Sequence, residues 1–459
     1  MGRAGRGHVA RIAGMVGLIA SGVAAPANGQ ALLTIGEALQ RADHGAYANR
    51  AAVGQATARA GQAMAALQGV LPEVRVVGAF TRTTDPLAAF GFRLQQRGVT
   101  PASFDPAALN SPNAIGNVGA GLVLEQPIVN ADAWLGRRAA TRAHEAAVAA
   151  ESWTRASTAL ETVRAYFSAL LATERIDALQ AAVAAAHAHL RQAEALFNQG
   201  VVTRSDALLA SVRTEQLESD LVAARGDAET ARLELAVVLG TPGDTLWKLP
   251  ALLPAAERIR SLAQRAATGT APSRERSDVL AAALDRAAAD ANLDRARARF
   301  IPRINSFGRL DWNAPTSPFG GRDSWTVGVA VSWAPFGGVS EWSDVMTASG
   351  QRASAAVGAA GAAAAAQLEL QRADISLATS LDRLATAERA LGESAEAHRI
   401  VSRKYDGGLA TLVELLDAAA AETQSQVGFA EARYQAIVAA VTRRRAAGQD
   451  LSVIEDLTP

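Results

Sequence analysis

The chain repeats its landmarks. Leu71-Pro72 recurs as Ile301-Pro302, Pro127 as Pro335, Trp134 as Trp342 and Gly200 as Gly408. The last three pairs share one offset of 208 (335 less 127, 342 less 134, 408 less 200), so about 70 residues repeat without an insertion. The first pair is separated by 230, which makes the stretch from Leu71 to Pro127 longer than its counterpart by 22 residues. Two copies of one unit, differing mainly in a single loop, are therefore expected.

The helical content is set by long tracts without proline. From Ala131 to Gln199 and from Val339 to Gly407 the sequence is dominated by Ala, Leu, Glu, Gln and Arg, all strong helix formers. A helix of that size is about 100 Å long, more than a compact globule can hold. In the segment that follows the first tract, Leu217, Leu221, Ala224, Ala228, Ala231, Leu235 and Val238 alternate at spacings of four and three, the seam of a coiled-coil partner. A solid antiparallel bundle or a fibrous rod satisfies this periodicity as well. The small Ala side chains favour a thin helical wall with water on both faces. Each tract ends at a Gly-centred turn, Gly200-Val201-Val202-Thr203 or Gly408-Leu409-Ala410-Thr411, where Gly accepts the left-handed conformation and Thr caps the next helix. Asp206 follows in one half, and Glu414 and Asp417 in the other; the helix N-terminal dipole stabilises negative charge there, so these acids can simply support the helix start. Thr34-Ile35-Gly36-Glu37 reads as a capping box, and Ser277-Asp278 after Pro272 as the corresponding start in the second half. Both helices are expected to run on to Leu71-Pro72 or Ile301-Pro302.

After each of those steps the period becomes two. Trp325 to Trp333 alternates apolar with small or polar residues, and its eight steps span about 26 Å, near the apolar band of an outer-membrane strand with an aromatic at each edge. Its partner, Arg303 to Asn313, carries Ile304, Leu310 and Trp312 on one side and Arg303, Arg309 and Asp311 on the other. Charged side chains on that second face require water. A soluble sandwich with one wet face is the alternative. In the first half Val74, Val76 and Phe80 begin one strand, and Val118, Ala120, Leu122 and Leu124 alternate in the next. That last parity is one residue out of step with Val327, Val329 and Val331 at an offset of 208, which requires a bulge or slip. The segment between these strands holds Pro86, Pro101, Pro106 and Pro112 and reads as an exposed loop. Four strands cannot close a barrel, and a bilayer does not tolerate open edges. Three copies supply twelve strands, so a homotrimer in contact with outer-membrane lipid is expected.

Arg3, Arg6 and Arg11, the apolar run from Ile12 to Val23 and Ala25-Pro26-Ala27 have the order of a secretory signal peptide, with cleavage expected near Ala27. The run is shorter than the roughly 20 residues that span a bilayer. Lys+Arg 45 against Asp+Glu 45 leaves no net charge to attract nucleic acid. With Cys 0 there is no disulfide, thiolate metal site or lipidated cysteine. His187 and His189 point to different sides of a helix, while His44, His144 and His398 stand alone among Ala-rich neighbours. No catalytic, cofactor or metal constellation emerges, so an enzyme is not expected.

The segments Phe197-Asn198-Gln199-Gly200-Val201-Val202-Thr203-Arg204-Ser205-Asp206 and Tyr405-Asp406-Gly407-Gly408-Leu409-Ala410-Thr411-Leu412-Val413-Glu414 resemble the helix-turn-helix tips of the TolC family of outer-membrane efflux channels. Gln126-Pro127-Ile128 and Ala334-Pro335-Phe336-Gly337-Gly338 resemble its strand-to-helix crossings, although Asn130-Ala131 replaces the glycines in the first. The resemblance covers nearly the whole mature chain. It implies a mainly α fold with a β-barrel part: a trimeric twelve-strand outer-membrane barrel, four strands per protomer, continued by a long helical barrel through the periplasm. The implied function is the exit duct of a tripartite efflux or type I secretion system. Its implied partners are a periplasmic adaptor and an inner-membrane pump of the RND, ABC or MFS type. By similarity, Asp206, Tyr405, Glu414 and Asp417, with Ser205 beside them, line or latch the periplasmic constriction. Gly200, Val201, Thr203, Gly408, Leu409 and Thr411 form the adaptor-docking tips, and Trp312, Trp325 and Trp333 the membrane girdle. Ala410 stands where some members carry a latch arginine; whether Arg204 substitutes for it is left open.

These readings divide the chain into a signal peptide over 1–27 and a first repeat over 28–240, with strands at about 73–126 and a tip hairpin at 131–239. A linker or equatorial segment follows over 241–272. The second repeat covers 273–448, with strands at about 303–334 and a hairpin at 338–447, and a tail occupies 449–459. The competing reading is an envelope coiled-coil spacer or adhesin stalk, which needs helices but no strand pairs of membrane-spanning length.

Overall fold

The computed structural model describes residues 32–241, 247–268, 276–317, 320–336, 338–451 and 454. The signal segment 1–27, Pro272, Gly337 and most of the tail lie outside the described residues. The chain begins with α1 (Ile35–Gly45) and α2 (Tyr47–Ala65), then β1 (Glu73–Thr83). Two short helices, α3 (Pro86–Gln95) and α4 (Pro106–Asn110), precede β2 (Ile115–Val129). The first long hairpin is α5 (Ala131–Asn198) and α6 (Arg204–Val238), followed by α7 (Ala256–Ala267). The second half repeats the order with α8 (Ser277–Ala298), β3 (Arg303–Ala314), β4 (Arg322–Ser332), α9 (Ser340–Asp406) and α10 (Leu412–Ala446). The expected long helices are present at 68 and 67 residues. Among the described residues no helix is long and apolar enough to cross a membrane.

The strands form one antiparallel sheet in the order β1-β2-β3-β4, with β1 and β4 at its two edges. Its register puts Val76, Leu122, Leu310 and Trp325 in one row and Val74, Leu124, Gly308 and Val327 in the next, so the apolar parities of all four strands share a face. That face is open: Val76 is 80% and Val327 68% exposed. The opposite face carries the Arg309–Asp311 ion pair at 2.7 Å and a buried Asn117–Asn313 hydrogen bond at 2.8 Å. The register shifts between Pro127 and Val129 opposite Asn305 and Ile304, leaving Ile128 as the extra residue at the place where the parity of the two halves changes.

Three local readings are corrected. The proline-rich segment between β1 and β2 is not an open loop. Asp85 caps α3, whose Phe92 and Gln95 lie over the polar face of the sheet, and Gln96 donates to the Gly116 carbonyl and to Asn117 Oδ1, both at 2.9 Å. The first helix does not run unbroken from Thr34; it breaks at Ala46. The cause lies elsewhere in the chain: Gly45 and Gly240 pass so closely that a Cβ on Gly240 would sit 2.0 Å from the Gly45 carbonyl oxygen. Asn49 then donates to the Asp43 carbonyl and, as a second donor beside Ala46 N–H, to that of Ala42, each at 3.2 Å. In the second half Ser277 is the first residue of α8 rather than its cap; Arg276 precedes it, almost fully buried, and pairs with Asp278 and Glu369 at 2.7 Å each.

The main core lies midway along the helices. Leu33, Ile35, Val163, Tyr166, Leu170, Leu235, Ile259, Leu262, Leu384 and Ile437 meet there, joining α1, α5, α6, α7, α9 and α10. Tyr166 donates to the Leu33 carbonyl at 2.9 Å, which satisfies the one polar atom of a large buried ring. A second, smaller cluster lies at the far end of the hairpins.

Candidate functional site

The two hairpin turns are built alike. Gly200 and Gly408 have φ of +72° and +70°. Val201 N–H donates to the Leu196 carbonyl at 2.9 Å and Leu409 N–H to that of Lys404 at 2.7 Å, the bonds that close the last turns of α5 and α9. Thr203 and Thr411 then cap α6 and α10. Asp206 Oδ2 accepts from Thr203 N–H at 2.9 Å and from its hydroxyl at 2.7 Å, and Glu414 Oε2 accepts from Thr411 N–H at 2.7 Å and its hydroxyl at 3.0 Å. Both are reciprocal capping boxes. The Thr203 hydroxyl, aided by its backbone N–H, holds the Asp206 carboxyl below its usual range; the Thr411 backbone N–H, then its hydroxyl, does the same for Glu414.

The remaining residues separate. Ser205 is exposed, with its hydroxyl 2.6 Å from that of Thr203. Asp417 is exposed one turn further along α10. Tyr405 is buried with Ala193, Ala210, Leu412, Leu415 and Leu416, so its ring cements the two hairpins together. Its hydroxyl has no hydrogen-bond partner among the described residues, and burial, with the Asp206 and Asp406 carboxylates adding, pushes its pKa up. Gln192 on α5 also donates to Asp406 at 3.2 Å. Val201 and Leu409, at the extremes of the two turns, are 67% and 81% exposed. The structure therefore brings Tyr405 and the Asp206 region together, leaves Asp417 free in solvent, and engages Asp206 and Glu414 in their own caps.

At the other end of the molecule Trp325 and Trp333 stand out from the apolar face of β4, and Trp333 Nε1 donates to the Phe300 carbonyl at 3.1 Å. Trp312 is half-buried on the same face, opposite Asp323.

One grouping escapes sequence reading. His398 does not stand alone: its ring centre lies 6.2 Å from that of His189, and its Nδ1 is 2.5 Å from Glu422 Oε2. Desolvation, with His398 nearby, lowers the pKa of His189. The two histidines lie in different halves of the chain, so no local spacing could reveal the pair. Among the described residues no group of three or more His, Asp or Glu side chains converges in a form that holds a metal ion.

A duplicated chain with two hairpins of about 100 Å and a sheet apolar on one face and charged on the other has the build of a protein of the outer membrane that extends into the periplasm. Comparison identifies the family: residues 36–241 and 273–449 match the model described as outer membrane efflux protein, and the chain belongs to that family. It is similar in fold to the outer membrane protein VceC from Vibrio cholerae, with a TM-score of 0.74 and 17% identity over 90% of this chain and 96% of that one. The Campylobacter jejuni CmeC outer membrane channel gives a TM-score of 0.74 and 17% identity over 90% and 85%. The Neisseria gonorrhoeae MtrE outer membrane channel, solved in its open state, gives 0.71 and 18% over 91% and 89%. A comparison with curated protein sequences finds no match.

Proposed function

We propose that three copies of this chain form an outer-membrane exit duct whose periplasmic tips receive an adaptor and open in concert with an inner-membrane pump. The carrying observation is the sheet. β1 and β4 leave open edges, while Val74, Val76, Val327, Val329 and Val331 face outward on one side and Arg309 and Asp311 lie on the other. In a bilayer such edges are closed by strands of other copies, the apolar face meets lipid and the charged face lines water. A coiled-coil stalk leaves that apolar face in solvent without a purpose. The helices support assembly as well: α9 exposes Met346, Val357 and Ile375, an apolar surface for neighbouring copies.

The tips supply the constriction in this reading. Three copies each of Glu414 and Asp417 present a ring of carboxylates, which favours cations. Tyr405 fixes how the two hairpins of a protomer sit against each other, and the exposed Val201 and Leu409 offer the adaptor an apolar foothold. The test combines mass and conductance. Light scattering in detergent should give three chains per particle, and a Glu414→Gln, Asp417→Asn variant should lose cation preference in planar bilayers; a monomer, or unchanged selectivity, would reject the reading.

A further inference from the structure

The pair His189 and His398 lines a partly open cavity of about 130 Å³ between α5, α6, α9 and α10, with Arg213, Glu422, Thr423, Gln426 and otherwise Ala and Leu on its walls. The Nε2 atoms of both rings are buried and have no hydrogen-bond partner among the described residues. Both rings line this one cavity, so a single guest there can serve both nitrogens. Glu422 gives the orientation. By accepting at Nδ1 of His398 it fixes the tautomer that leaves a lone pair on Nε2, the carboxylate–imidazole arrangement that stands behind metal-bound histidines.

We propose that His189 and His398 bind a divalent late first-row transition-metal ion through their Nε2 atoms, with Glu422 as the carboxylate behind His398. The geometry fits. An ion about 2.0–2.1 Å from each nitrogen holds the two ring centres about 5–6.5 Å apart as the angle at the metal opens from tetrahedral to linear. The observed separation is 6.2 Å, with the rings inclined at 73°, so tetrahedral binding of zinc draws the two rings together by about 1 Å. Imidazole suits zinc(II), copper(II) and nickel(II). Two protein ligands leave the rest of the coordination sphere to water, for which the cavity has room. Glu422 and Arg213 bring one negative and one positive charge to the walls of the cavity. His189 is eleven residues before Gly200 and His398 ten before Gly408, so the ion sits about 15 Å from the turns and ties the first half of the chain to the second.

Zinc chloride is the probe, titrated calorimetrically into tag-free, EDTA-stripped protein in detergent. The expected result is one zinc per protomer, lost in His189→Ala, His398→Ala protein and weakened about tenfold or more in Glu422→Gln. Helical circular dichroism and particle mass guard against misfolding, and single His→Gln variants replace the double one if it fails those checks. Copper(II) in the same protein should give an electron paramagnetic resonance spectrum split by two imidazole nitrogens. Absence of zinc binding by the unaltered protein, or equal binding by the double variant, overturns the site; equal binding by Glu422→Gln overturns the role of the carboxylate. None of these readouts depends on conductance, so the site stands or falls separately from the duct.

Discussion

The lipid-facing assignment makes a sharp prediction on one strand. Val329 and Ala330 are neighbours in β4, both exposed in the protomer, on opposite faces of the sheet. Val329 lies four residues from Trp325 and four from Trp333, so it sits at mid-span, about 13 Å from either aromatic edge at 3.3 Å per residue. An arginine at the midplane of the lipid face of a barrel costs about 2–4 kcal/mol, whereas one on the lumen face stays in water. Val329→Arg should therefore lower the folding equilibrium constant by about 30-fold or more, since 1.4 kcal/mol is a factor of ten. Ala330→Arg, opposite Asn305 on the wet side, should change it little. Urea unfolding from lipid vesicles, followed by tryptophan emission, measures both. Equal losses in the two variants, or a greater loss for Ala330→Arg, would refute the placement of lipid against the valine row.

The remaining predictions concern the hairpins. Gly408→Ala meets open space, so its cost is the left-handed backbone alone, about 1–2 kcal/mol, read as faster proteolysis at the tip. Gly240→Ala carries the same backbone strain and drives its Cβ to 2.0 Å from the Gly45 carbonyl, so it should lower the melting temperature several degrees more than Gly408→Ala. Thr203→Ala and Thr411→Ala should each loosen a tip by about 1 kcal/mol in hydrogen exchange. Asp206 and Glu414 have folded pKa values below their unfolded ones, so their contribution is present above the unfolded values and is lost as pH falls through the folded ones. Protection factors at the tips, which correct for the intrinsic slowing of exchange in acid, should fall below pH 4.5 in the native protein and show a much weaker acid dependence in Asp206→Asn, Glu414→Gln. Glu174 accepts from Arg433 and from Leu253 N–H in the main core region, and Glu174→Gln leaves a nearly buried guanidinium without its counter-charge, a loss of about 3–5 kcal/mol by thermal melting.

What was legible in the sequence is what repeats at short range. Unbroken tracts of helix formers predict α5 and α9, Gly followed by Thr predicts their turns, and alternation predicts β1 to β4, with a bulge or slip needed to bring their apolar parities together. What was not legible depends on residues distant in the chain. The break at Ala46 is forced by Gly240 and repaired by Asn49, and neither is visible in a window around the break. Pro86, Pro101 and Pro106 signal a loop by composition, yet each of these prolines begins a short helix, where the missing N–H and fixed φ are assets. The approach of His189 to His398 needs both hairpins in place. The candidate constriction was legible as a set of residue types, but the engagement of Asp206 and Glu414 in their own caps is a matter of atoms.

The duplication itself separates structural need from function at the tips. At the offset of 208, Gly200, Val201, Thr203 and Asp206 correspond to Gly408, Leu409, Thr411 and Glu414. Each set makes the same turn and the same capping box, so the local demands of reversing a helix account for these residues twice over. They do not account for two others. Tyr405 corresponds to Phe197, yet Tyr405 is 8% exposed and Phe197 40%. Asp417 corresponds to Leu209, so one half carries an exposed charge where the other carries an apolar side chain. A residue that capping does not require and the duplicate lacks is the better candidate for a role in the assembled pore. Glu414 has an oxygen committed to Thr411, whereas Asp417 makes no such contact with that cap and is free to meet passing ions. Asp417→Asn should therefore remove more of the cation preference than Glu414→Gln in single-channel reversal potentials. The reverse order would show that the capping carboxylates, not the extra acid of the second half, set the charge of the constriction.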